Sequence, residues 1–298
     1  MRFSRSIIVP IFLIIPGLPL LSSQGADDFH LRTNSHFKEL LEKGVPIGDK
    51  ETLKLPTPTM ADGLDNAGQA KVLQKLAGED YPLDELMRAS VVAPHIYKFR
   101  EVDARGTDGR GRGIDLWFIA YGNLERLTSK TLQSQFAGGA ARMTALKETD
   151  LLKRGIKLKA AEGLEESYLY GVGSILDRVQ VSSANHGMIT RSKESIVLAS
   201  SLDPRFAKDA EYPNQWRAIT VQDDGKESLG PPQPYEGAGM YIKLTKLHEP
   251  AGALFVEFHQ VFVEPKKWFD AQNMLKSKLP IVIQSELRAF RKDLLKVK

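Results

Sequence analysis

From Val91 onward the spacing of apolar residues changes from helical toward a period of two, and this change restricts the fold more than any other feature of the chain. Residues 94–103, 114–121, 166–172, 174–182, 195–201, 216–221, 240–247 and 253–263 are short and rich in β-branched and aromatic residues. Turn signals such as DDG and EPAG separate them. Many short strands with few long helices between them point to an antiparallel sheet. In IDLWFIAYG, Ile114, Leu116 and Phe118 share one face and Trp117, Ile119 and Tyr121 the other, so this strand should be central and covered on both sides. In 174–182, Ile175, Val179 and Val181 oppose Arg178 and Gln180, which predicts one wet side.

Helices should flank the sheet. NSHFKELLEKG offers Asn34 or Ser35 as a cap, a stripe of Phe37, Leu40 and Leu41, and a stop at Gly44. LPTPTMADGLD is an extended connector, because Pro56 and Pro58 exclude a helix. A second helix is capped by Asn66, buries Val72, Leu73 and Leu76, and ends at Gly78. Near the C-terminus Pro280 suits a first turn, and Ile283, Leu287, Phe290, Leu294 and Val297 then form an amphipathic stripe. The expected class is α+β. Residues 27–90 form an N-terminal helical segment, 91–263 a strongly bent antiparallel sheet that could close toward a barrel, and 264–298 a helical segment packed on it. Residues 27–298 are expected to be one domain. The absence of an internal repeat argues against a solenoid or propeller.

The chain opens with Arg2 and Arg5, an apolar run from Ile7 to Leu21, and then small residues. This is the layout of a secretory signal peptide over 1–26, cleaved near Ser23–Ala26. The alternative is an uncleaved anchor, although Pro10, Pro16 and Pro19 interrupt the run. No other stretch is apolar enough to span a bilayer, so the expected location is periplasmic or extracellular. There is no cysteine, which excludes disulfides, thiolate metal sites and a cysteine nucleophile. The formal charge of +4 is unevenly spread. Lys276, Lys278, Arg288, Arg291, Lys292, Lys296 and Lys298 oppose only Glu286 and Asp293 at the C-terminus, where any polyanion-binding role must lie. The same cations suit the negative end of a helix dipole.

ARGTDGRGRGID resembles a phosphate loop only at first sight. Gly109, Gly111 and Gly113 are spaced G-x-G-x-G, no lysine follows, and the next element is a strand, so both nucleotide-binding patterns fail. A hairpin turning at Asp108–Gly109 and returning at Ile114 fits better. It leaves Arg105, Arg110 and Arg112 as an exposed basic tip, with anion binding as the functional alternative. The Arg-Gly pattern is too short, and too closely bounded by strands, for nucleic-acid binding, which is not expected.

GMYIKLTKLHEPAGALFVEFHQVFVEP is the best candidate for chemistry. A three-residue turn around Pro250 and Gly252 would pair Thr245 with Glu257 and Lys243 with His259. Glu257 and His259 would then share a polar face, while Met240, Ile242, Leu244, Val256, Phe258 and Phe262 line the other. Glu-x-His can act as an acid–base pair, but two ligands are too few for zinc, and no metal or cofactor is expected. A plain polar strand face is the competing reading. His30, His36, His95 and His186 suit surface or capping roles, with His186 in a polar SSANHG loop. Trp268 with Lys266 and Lys267 could meet a partner or an envelope surface, or the tryptophan could pack under the sheet while the lysines stay solvated. No H-E-x-x-H and no G-x-S-x-G occurs. The first expectation is a non-catalytic exported protein that binds a small apolar or anionic ligand or an envelope component. The alternatives are a hydrolase of envelope material using Glu257 and His259, and a structural part of an exported assembly.

Overall fold

A computed structural model describes residues 28–47, 51–102, 109–129, 132, 142–159, 161–222, 225–269 and 274–296. The signal-peptide segment and Arg105 lie outside the described residues. The class is α+β, with six helices among the described residues and one large antiparallel sheet. Strands β1 (Val45–Ile47) and β2 (Glu51–Leu53) form a separate ribbon. The other eleven are β3 (His95–Val102), β4 (Gly109–Tyr121), β5 (Arg142–Ala145), β6 (Leu164–Ile175), β7 (Val179–Arg191), β8 (Ser195–Leu202), β9 (Gln215–Val221), β10 (Glu227–Leu229), β11 (Gln233–Pro234), β12 (Ala238–Lys246) and β13 (Ala253–Pro265). Their order is β10-β9-β7-β8-β12-β13-β4-β3, and the sheet does not close into a barrel. One edge of β7 is shared end to end, with Val179–Ser182 pairing with β9 and Asn185–Arg191 with β8. The other edge carries β6, which in turn carries β5.

Successive side chains on β4, β12 and β13 point to opposite faces, and each face is covered. On the back, Leu116, Phe118, Ile242, Leu244 and Val256 pack against Leu287, Phe290 and Leu294 of the C-terminal helix Met274–Leu294. On the front lie α1 (Asp28–Thr33), α2 (Ser35–Glu42), α3 (Asn66–Ala77) and α4 (Leu83–Leu86). There Phe37 and Leu40 meet Val197 and Tyr241, while Leu73 and Leu86 meet Trp117 and Phe255. IDLWFIAYG is therefore a covered inner strand, as its two apolar faces predict. Asn34 caps α2 by accepting from Phe37 N at 2.8 Å. Asp65, rather than Asn66, caps α3 by accepting from Gly68 N at 2.7 Å. After α5 (Glu148–Leu152), the C-terminal helix is α6 (Met274–Leu294). It starts ahead of Pro280, which lies inside it instead of in its first turn. Val297 is outside the described residues.

Four further expectations change. The 174–182 segment is not one strand, because Leu176 and Asp177 both take φ 52° and turn the chain between β6 and β7. The SSANHG stretch is strand, not loop. Its backbone pairs with β6 on one side and with β8 and β9 on the other, and its polar side chains find partners, Asn185 in Ser183 and His186 in Glu166, so it needs no apolar alternation. In the β12–β13 hairpin, Lys243 stands opposite Glu257 and Tyr241 opposite His259, because Leu247 N donates to Ala253 O at 2.9 Å and closes a longer loop. The shift is two residues, so every side chain keeps its predicted face. The glycine stretch is also strand: β4 begins at Gly109, and Gly111 and Gly113 pair with both β3 and β13. A Cβ on Gly109 would lie 2.5 Å from Val263 Cγ1, and one on Gly113 would lie 2.9 Å from Arg100 Cζ, so these glycines make room for their neighbours' side chains.

Candidate functional site

Glu257 and His259 do share a face, and both are fully buried. They belong to a polar layer between the sheet and the extended segment Lys54–Asp65, which crosses the front of β12, β13 and β4 as a strap. The prolines keep this strap out of the sheet, so its backbone groups must be satisfied by side chains. Thr59 N and Met60 N donate to the two Glu257 oxygens at 2.6 and 3.0 Å. Lys243 Nζ donates to Met60 O at 2.7 Å and lies 3.0 Å from Asp62 Oδ1. Tyr241 Oη donates to Pro56 O at 2.9 Å, and Trp117 Nε1 donates to Thr59 Oγ1 at 3.0 Å. Asp62 also accepts from Ser192 Oγ and Ser195 Oγ, and His30 sits 2.7 Å from Ser195 Oγ and 2.8 Å from Thr190 Oγ1.

His259 Nδ1 meets Asp115 Oδ1 at 2.9 Å, and its Nε2 is 3.9 Å from Glu257 Oε2. Arg100 holds the same aspartate by crossing over Gly113. Burial opposes the charge on His259, but Asp115 and Glu257 outweigh it and raise the imidazole above its ordinary value. Burial raises the Glu257 and Asp115 carboxyls, and His259 with the nearby donors brings both below the ordinary range. Burial pushes His30 down to about 4. The polar atoms of Glu257 and Lys243 are thus directed at the strap, and neither Glu257 nor His259 lines the cleft described below.

The other predicted residues are scattered. Arg112 is buried rather than at an exposed tip. It is held between Glu264 and Glu101, with the Glu101 contact at 2.9 Å, and lies over the Phe99 ring. Arg110 is half-buried beside it in β4. Trp268 is buried against Tyr235 and Phe269, while Lys266 and Lys267 are exposed.

A cleft of about 490 Å³ opens where α2 crosses the front of β6 and β7. His186, in mid-β7, stands opposite Tyr168 on β6 and Ser201 on β8. Its ring stacks on Tyr168 with centroids 4.7 Å apart and touches the His36 ring at 4.6 Å. Its Nε2 lies 2.6 Å from Glu166 Oε1, and His36 Nε2 lies 3.2 Å from Ser201 Oγ. Burial pushes His36 down to about 4 and Tyr168 up to about 12, so both are neutral at pH 7. Arg205 donates to Tyr168 Oη at 2.7 Å and is anchored by Asp203. Lys157 and Lys159 complete the rim; both are exposed and form no ion pair among the described residues. The floor is aromatic, and the rim carries Lys157, Lys159 and Arg205 together with the carboxylates of Glu39 and Glu166. The sequence does carry a signal for this site. Taken as strands, Glu166 and Tyr168 alternate on β6 as His186 and Met188 do on β7, but the loop reading of SSANHG hides it.

No three His, Asp or Glu residues come together as a metal site among the described residues. No family model matches the chain, and no curated protein matches it. Among solved structures, CalU16 from Micromonospora echinospora is similar at 7% sequence identity, over 68% of this chain and 98% of that one, with a TM-score of 0.23. At that score the likeness bears neither on fold nor on function.

Proposed function

We propose that the protein is exported and acts by binding a small anionic molecule in the cleft between α2 and β6–β7. The observation that carries this reading is the pair Lys157 and Lys159, whose exposed ammonium groups form no ion pair among the described residues, beside Arg205 and over an aromatic floor of His36, His186 and Tyr168. The volume suits a small ligand, and a stacked aromatic floor with a few charged groups above it is a usual composition for such sites. Export draws on the leader pattern of residues 1–26.

Calorimetric titration with small carboxylates and phosphate monoesters, together with native mass spectrometry of the purified protein, tests the binding. The expected result is one saturable site whose affinity falls about tenfold or more in Lys157→Glu/Lys159→Glu with the melting temperature unchanged. A wild-type protein that retains no ligand and binds none of these anions overturns the reading. Export predicts a mature N-terminus near Ala26, read by N-terminal sequencing; an intact Met1 on protein left in the cytosol contradicts it.

A second reading, an enzyme acting on envelope material, is favoured by the short His186–Glu166 contact at the cleft. His186→Gln should then abolish turnover while leaving ligand affinity within a few-fold. Unchanged turnover on any substrate found removes His186 from catalysis.

A further inference from the structure

The outer surface of α6 is independent of the cleft. Its inner stripe, Leu287, Phe290 and Leu294, is consumed by the back of the sheet. On the opposite side Lys278, Ile281, Ser285, Arg288 and Lys292 follow one another at spacings of three, four, three and four, and all are exposed. This stripe is about 21 Å long. Lys278, Arg288 and Lys292 form no ion pair among the described residues, and the two acids of the helix, Glu286 and Asp293, lie about a quarter-turn away. Within the stripe Ile281 is 67% exposed, and next to it Val282 is 41% exposed. An isoleucine so open to water in the middle of a cationic row has no role in the fold, whose core lies on the other side of the helix.

We propose that this face of α6 docks on an anionic lipid surface. The cations meet lipid headgroups, while Ile281 and Val282 enter the boundary between headgroups and acyl chains. The exposed aliphatic pair favours lipid over other polyanions. A polysaccharide or nucleic acid is held by charge and by aromatic or polar contacts, and offers nothing to two branched aliphatic side chains. The helix lies along the surface and does not cross it, since no described helix is long and apolar enough to span a membrane.

Co-sedimentation of the full chain with vesicles tests the proposal. Vesicles of phosphatidylcholine with about one-third phosphatidylglycerol should bind, phosphatidylcholine alone should bind at least tenfold less, and about 0.5 M salt should release the protein. Lys278→Glu/Arg288→Glu should lower partition to the anionic vesicles at least tenfold. Ile281→Ser should lower it several-fold with the salt dependence kept. All three positions are exposed, so folding is checked simply by an unchanged melting curve, and ligand binding in the cleft should be untouched. The apolar run Ile7–Leu21 is common to every variant, so only partition lost on substitution in α6 counts. Partition to the anionic vesicles that the charge reversal leaves unaffected overturns the proposal. Retention on heparin or duplex DNA without partition to anionic vesicles also overturns it, and assigns the stripe to another polyanion.

Discussion

At the scale of single residues, the polar layer is where the chain takes its largest energetic risk. Glu257, Lys243 and His259 are fully buried, and such groups stabilise a fold only when each keeps its partners. Glu257→Ala removes the acceptor for two strap amides and leaves His259 and Lys243 short of a counter-charge, so it should cost about 3 to 5 kcal/mol in urea unfolding. Glu257→Gln keeps the shape but loses the charge and should fall in between. The titrating groups also set a pH profile. His30 and His36 are buried neutral, so the unfolded chain binds protons more readily, and their contribution is lost as pH falls from 6.5 toward about 4. For His36 alone this is roughly 3 kcal/mol. Glu257 and Asp115, both depressed, add a loss further into acid, as pH drops through their lowered values. His259 has the opposite sign: its raised value gives stability that is complete below 6.5 and lost as pH rises through the folded value. Urea midpoints should therefore peak near neutral pH, with the acid limb flattened in His36→Gln and the alkaline limb in His259→Gln. A monotonic profile contradicts this balance.

At the scale of elements, close approaches decide what a substitution does. Gly113→Ala would push the new Cβ into the Arg100 guanidinium and loosen its hold on Asp115, which should cost about 1 to 3 kcal/mol by thermal denaturation. The C-terminal helix depends on one side chain in a similar way. Arg291 is buried, and it donates to Ile119 O at 2.9 Å, Ala93 O at 2.6 Å and Pro94 O at 2.9 Å, bridging α6 to β4 and to the approach to β3. Burial without a carboxylate lowers it to about 10. Its spacing, four after Leu287 and three before Leu294, places it on the inner stripe, whereas Arg288 falls on the outer face, and that difference in the sequence is the signal that it is buried. Much of the fold was legible. The apolar alternation of β4, β8, β12 and β13 placed them within a few residues, because their side chains face a core on one or both sides. Where polar side chains find partners within or across strands, as Asn185 does with Ser183 inside β7 and His186 with Glu166 on β6, the alternation carries no signal, and the cleft was missed with it. Glu257 and His259 were correctly placed on one face. Their burial was not foreseeable, because it depends on a strap almost 200 residues away in the chain.

For the whole molecule, the sheet separates two cores. Phe37 packs edge-on to Tyr241 in front, and Phe290 edge-on to Phe118 behind. Because β-sheet backbone lies between them, Phe37→Ala and Phe290→Ala should each cost about 3 to 5 kcal/mol and add within about 0.5 kcal/mol in the double variant. A larger coupling would mean that the two faces melt as one unit. The strap adds a matter of timing. Its amides at Thr59 and Met60 are closed by Glu257, 198 and 197 residues further on, and Gly63 N donates to Glu194, 131 residues on. Loops of that length close slowly. The strap is thus made long before the partners that close it, and until β12 and β13 have been synthesised its bonds to Tyr241, Lys243 and Glu257 cannot form.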